Sequence, residues 1–119
     1  MFFTHTVKKQ SNVYIFALTG ELIDKNQADK LMQDVDEVVL NNHIHFILDL
    51  SALKYLNSSG LTILIQILTK ARKAGGEAVI AHVGKRIKEL LIITKLNTVF
   101  TVADTVDEAI AILNKLVSN

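Results

Sequence analysis

The chain has 119 residues, 50% of them hydrophobic, with 13 Lys and Arg against 12 Asp and Glu and a formal net charge of +1. This length and apolar content suit one domain, residues 1–119, with a substantial core. The near-neutral balance excludes nucleic-acid binding by bulk charge, and the absence of cysteine excludes disulfides and thiolate catalysis. The first residues, Met1-Phe-Phe-Thr-His-Thr-Val-Lys8, carry neither the basic start nor the long apolar stretch of an export signal. Every hydrophobic run is interrupted short of membrane-spanning length. A cytoplasmic protein, with no membrane insertion and no direct nucleic-acid contact, is the expectation.

Taken in chain order, the segment Phe3 to Val7 suits an edge strand, and the β-formers from Val13 to Leu18 suit a second, with Thr19-Gly20 as its break. Asp24 stands three residues before Gln27, a cap-like start to a helix whose Ala28, Leu31, Met32, Val35, Val38 and Val39 share one side. Asn41-Asn42 ends that pattern. Phe46 to Leu50 reads as a buried strand. After Gly60 a helical stripe of Leu61, Leu64, Ile65, Leu68 and Ala71 runs to Gly75-Gly76. Glu77 to Val83 predicts a strand, Gly84 a break, and Ile87, Leu90 and Leu91 a short helix. Phe100 to Val102 predicts a last strand, and the Thr105/Glu108 spacing caps a helix with Val106, Ala109, Ile110, Leu113 and Leu116 on one face. Alternating strands and helices of this kind predict an α/β fold, a single mixed, mainly parallel sheet with helices packed against it.

Between the Phe46 strand and the Leu61 helix lies Asn57-Ser-Ser-Gly60. Serine, asparagine and glycine are favoured at such a junction because side-chain oxygens cap free amides and glycine tolerates close backbone approach. Ser58 and Ser59 therefore read either as caps or as a functional pair of hydroxyls. Nucleophilic catalysis has little support: no Gly-x-Ser-x-Gly elbow accompanies either serine, and no complete phosphate-binding Gly-x-x-x-x-Gly-Lys-Ser/Thr loop is present. His5, His43, His45 and His82 lack the closely spaced companions of a metal site, so no metal or other cofactor is expected. His43 and His45 are spaced to share one side of a strand. Asp49 either orients the Ser58 loop or makes simple backbone hydrogen bonds. The basic group Lys70 to Lys73 suits a solvated helix end, and Lys85-Arg-Ile-Lys88 reads either as a solvated face or as a contact for an acidic partner or phosphate.

Gly20-Glu-Leu22, Phe46-Ile-Leu-Asp-Leu-Ser51, Tyr55-Leu-Asn-Ser-Ser-Gly-Leu61, Ala71-Arg-Lys-Ala-Gly-Gly76 and Phe100-Thr-Val-Ala-Asp-Thr-Val-Asp-Glu-Ala109 together resemble, in order and over nearly the whole chain, the STAS family of sulfate-transporter and anti-sigma-factor-antagonist domains. The resemblance implies a regulatory switch that binds an anti-sigma factor with serine kinase activity and releases a sigma factor, with a phosphatase as a further partner. It implies that Ser58, the first serine of the motif, is the phosphoacceptor, with Asp24, Asn57, Ser59 and Gly60 supporting the loop or the partner contact. It also leaves an alternative, a STAS scaffold or adaptor without phosphorylation in a stress-signalling or lipid-transport assembly. Two departures bear on this. Asn57 stands where antagonists usually carry aspartate, keeping an acceptor but losing the charge. Ile23 separates Gly20-Glu-Leu22 from Asp24, so Asp24 either fills the family's polar position through a bulge or caps the next helix.

Overall fold

The computed structural model describes residues 2–118. Five strands, β1 (Phe3–Gln10), β2 (Val13–Leu22), β3 (His45–Leu56), β4 (Glu77–Ala81) and β5 (Thr101–Ala103), form one sheet in the order β1-β2-β3-β4-β5. Only β1 is antiparallel to its neighbour. It pairs with β2 across a two-residue turn, Ser11-Asn12, with φ of 52° and 64°. Two successive positive φ angles give a turn whose twist matches that of the strands it joins.

Helices α1 (Asp29–Leu40), α2 (Ser58–Lys73) and α3 (Lys85–Ile93) link the parallel strands in turn, and α4 (Val106–Ser118) follows β5. Each new strand adds to the same edge, and right-handed crossovers in one direction must lay their helices on one face. Accordingly Leu31 and Val35 of α1, Leu64 and Leu68 of α2, and Ile87 and Leu91 of α3 share a core with Phe16, Leu18, Phe46, Leu48 and Ile80. The alternate residues Val13, Ile15, Ile47 and Val79 point the other way, onto Ala109, Ile110 and Leu113 of α4. The sheet is thus sandwiched, which explains why its central strands read as continuous apolar runs. This is the mixed, mainly parallel α/β fold anticipated from the sequence, with helices on both faces.

Strand β4 stops at Ala81, two residues short of the expected Val83, with His82 at a φ of 58°, and β2 and β3 run longer than expected. The break at Thr19-Gly20 is not a strand end: β2 continues to Leu22, and Gly20 adopts φ +101° inside it. A Cβ there would lie 2.2 Å from the Phe2 carbonyl oxygen, which accepts from Glu21 N at 2.8 Å, so only glycine lets the first residues close on the sheet. Strand β3 also runs six residues past Leu50. Opposite it, Ala17 to Thr19 spans Asp49 to Ala52, and Gly20 to Glu21 spans Leu53 to Tyr55, so β3 carries one extra residue at each of two irregularities. Each extra residue resets which way the chain faces. Buried positions therefore fall at Leu50, Leu53 and Leu56, every third residue, and a strand that alternation alone would end keeps feeding one core.

Candidate functional site

The end of β3 hands directly to α2, and the two are locked together by Asn57. Its Oδ1 accepts from Gly60 N at 2.9 Å, capping α2, while its Nδ2 donates to Ile23 O at 3.0 Å. Aspartate supplies the first bond but has no hydrogen for the second. The asparagine is thus explained by the structure: it joins the helix start to the segment leaving β2. Gln27 completes the connection, its Oε1 accepting from Ile23 N and Asp24 N at 3.0 Å each and its Nε2 donating to Glu21 O at 3.2 Å. Asp24 Oδ1 accepts from Asn26 N at 3.0 Å. Asp24 therefore caps the short 3-10 turn Lys25–Ala28 that leads into α1, and the sheet irregularities lie elsewhere, in β3.

Gly60 sits where this junction is tightest. A Cβ on it would lie 2.2 Å from Leu22 O and 2.6 Å from Leu56 Cδ1, so the first turn of α2 packs against the end of β2 only if that position is glycine.

With the cap provided by Asn57, Ser58 and Ser59 occupy the first two helical positions and both are exposed. Ser58 O accepts from Thr62 Oγ1 at 3.0 Å. The two serines differ in surroundings. Ser58 lines a groove of about 420 Å³ whose opposite wall is α3, represented by Arg86, Ile87, Glu89, Leu90 and Ile93; Ser59 does not line it. Tyr55, 43% exposed, and Ile93, 78% exposed, are the most open apolar side chains of its lining. An amphipathic helix normally turns isoleucine inward. Tyr55 and Arg86 also line a second, adjoining depression with Phe2, Gly20 and Lys54, so Ser58 stands beside an extended surface of mixed apolar and charged character.

The α3 wall was not legible from local sequence. Ile87, Leu90 and Leu91 account for its buried stripe, and the signal for the groove was the surplus apolar pair Ile92-Ile93 beyond that stripe, together with the Lys85 to Lys88 cluster. Of that cluster, Arg86 lines the groove together with Ser58, whereas Lys88 lines a different depression with Ser51, His82 and Asp104.

Other candidates lie apart from the groove. Asp49 Oδ1 accepts from Ser51 N at 3.0 Å, a local backbone bond, and takes no part in the Ser58 loop. His43 precedes β3 rather than sharing a strand side with His45, and its ring packs 4.9 Å from that of Tyr14. His5 Nε2 and Asp34 Oδ2 are 2.6 Å apart, joining β1 to α1. In the basic end of α2, Lys70 pairs with Asp36 at 2.7 Å, and Arg72 pairs with Glu77 and donates to Val99 O at 2.9 Å. Among the described residues no group of three or more His, Cys, Asp and Glu side chains is placed to hold a metal ion, and no helix is long and apolar enough to cross a membrane.

Comparison with known proteins bears on this arrangement. The STAS domain model matches residues 5–109. BtrV of Bordetella bronchiseptica, provisionally named an anti-sigma factor antagonist, is 26% identical over 106 residues, covering 89% of this chain and 90% of BtrV. The crystal structure of an anti-sigma factor antagonist from Mycobacterium paratuberculosis is similar with a TM-score of 0.81 at 28% identity, covering 95% of each chain. Protein TM1081 of Thermotoga maritima shares the fold with a TM-score of 0.83 at 22% identity over 92% of this chain and 94% of its own. Sheet order, helix placement and family match agree: the chain belongs to the STAS domain family, whose members are non-catalytic scaffold or regulatory domains.

Proposed function

We propose that this protein is an anti-sigma factor antagonist working by partner switching. Unmodified, it docks an anti-sigma factor that is also a serine kinase, through the groove between the α2 start and α3, and so frees a sigma factor. The kinase then transfers the γ-phosphoryl group of ATP to Ser58 Oγ, the hydroxyl proton passes to a kinase base and ADP leaves, and the modified chain releases its partner.

The observation that carries this reading is the position of Ser58. Ser58 is an exposed residue at the first helical position, relieved of capping by Asn57, and it lines a groove with exposed apolar residues. Phosphorylation there adds about −1.5 to −2 charge and three acceptors to a surface that would otherwise be desolvated on docking. A charge buried without a partner costs several kcal/mol, enough to break a complex of moderate affinity. The site lies outside both cores, so the modification leaves the fold in place. Two relatives at 26% and 28% identity carry the name anti-sigma factor antagonist, which supports the same reading.

Asn57 does not favour the unphosphorylated scaffold, because its bond to Ile23 O gives it a structural reason to depart from aspartate. Incubation with a cognate serine kinase and ATP tests the proposal. One phosphate by intact mass, lost in Ser58→Ala and kept in Ser59→Ala, is the expected result; an unmodified chain, or a phosphate that survives Ser58→Ala, contradicts it.

A further inference from the structure

The groove that holds Ser58 has one cationic side chain among its lining residues, Arg86. It projects from the first turn of α3, is exposed, and forms no ion pair among the described residues. Glu89, three residues on, lines the same groove, so the two charges cancel and the unmodified surface is close to neutral. A phosphate on Ser58 changes that balance. It offers about twice the charge of Glu89 and three oxygens, and guanidinium matches phosphate through two parallel hydrogen bonds.

Resting on the reading of Ser58 as the phosphoacceptor, we propose that Arg86 is the internal reader of that phosphate. On modification its guanidinium turns onto the phosphoserine, and its side chain lies across the groove that Tyr55 and Ile93 also line. The switch is then steric as well as electrostatic: the surface the partner would occupy is filled by the chain's own arginine. The amide of Gly60 is already engaged by Asn57 Oδ1, and the other amides of the α2 start carry no full charge, so Arg86 is the one full counter-charge among the lining residues.

The test installs phosphoserine at position 58 of the full chain by genetic encoding, without any kinase, and follows the second phosphate ionisation by phosphorus NMR. An exposed ion pair depresses that ionisation, ordinarily near pH 6, by roughly half a unit. Arg86→Gln is expected to raise it by about that amount, Arg86→Lys to retain most of the depression, and Glu89→Gln to deepen it. Lys85→Gln removes the same charge one residue away, outside the groove lining, and is expected to move the titration much less. Superimposable titrations for Arg86 and Arg86→Gln, or equal shifts for Lys85→Gln and Arg86→Gln, would overturn the proposal. Because the phosphate is installed without a kinase, a missing shift counts against Arg86 alone, whereas failure of a kinase to modify Ser58 counts against the switch.

Discussion

Asn57 makes two hydrogen bonds with different chemical requirements, and substitutions can remove them separately. Asn57→Ala loses both the cap on Gly60 N and the donation to Ile23 O. The cap contributes about 1 kcal/mol, and a neutral hydrogen bond from a half-buried amide about 0.5–1.5 kcal/mol, so a loss of roughly 1.5–2.5 kcal/mol is expected. Asn57→Asp keeps the cap and gains about 0.3–1 kcal/mol from a negative charge at the helix start. It loses the donor, however, and brings a carboxylate oxygen to within hydrogen-bonding distance of a carbonyl oxygen with no proton between them. Alanine leaves room for water to reach the Ile23 carbonyl, whereas aspartate keeps it facing a carboxylate and unpaired, which costs about 1–3 kcal/mol; this outweighs the dipole gain, and the aspartate variant should be less stable than wild type by about 1 kcal/mol. Urea unfolding reads this directly. With a slope of roughly 1–3 kcal/mol per molar for a chain of this size, the midpoint should fall by about 0.3–1 M for aspartate and further for alanine. An aspartate variant as stable as wild type, or more so, would refute the claim that the Ile23 bond is why asparagine stands here.

Further outcomes follow from the same geometry. Gly60→Ala forces the first turn of α2 away from Leu22 O, a strain of about 1–3 kcal/mol offset in part by up to ~1 kcal/mol of helix propensity; thermal unfolding should drop by several degrees, and an unchanged midpoint would mean that the contact relaxes freely. Leu64→Ala, at a fully buried position of α2, should cost about 2–5 kcal/mol, readable by the same urea titration. Ile93→Lys changes a residue that is 78% exposed and should leave stability within about 0.5 kcal/mol, yet weaken capture of the kinase partner about tenfold or more in a titration of affinity. Retained affinity would remove α3 from the docking surface.

Much of the architecture was legible from local patterns. Gly75-Gly76 ends α2, Thr105 Oγ1 accepts from Glu108 N at 3.0 Å at the start of α4, and Asp24 and Gln27 form a capping box, each a short-range signal that tertiary structure has no reason to override. The second half of β3 was not legible because its irregularities convert a period of two into buried residues at Leu50, Leu53 and Leu56, a spacing that resembles neither strand nor helix. Gly20 looks like a break because positive φ is more common in turns than inside strands. At the site, the Ser58 junction was visible as a contiguous motif, whereas its opposite wall on α3 was not. Arg86 and Ile93 meet the groove through the crossover from β4, a consequence of sheet order rather than of any neighbour in sequence. The second role of Asn57 escaped for the same reason, since Ile23 is 34 residues away.

The switch itself is tested most directly by calorimetric titration of the serine-kinase partner into two preparations of the full chain, one unmodified and one carrying phosphoserine at position 58. Tight binding to the first and an affinity at least about tenfold weaker for the second, with matching circular dichroism, is the expected result. Equal affinity for two equally folded preparations would contradict the claim that charge at Ser58 controls docking.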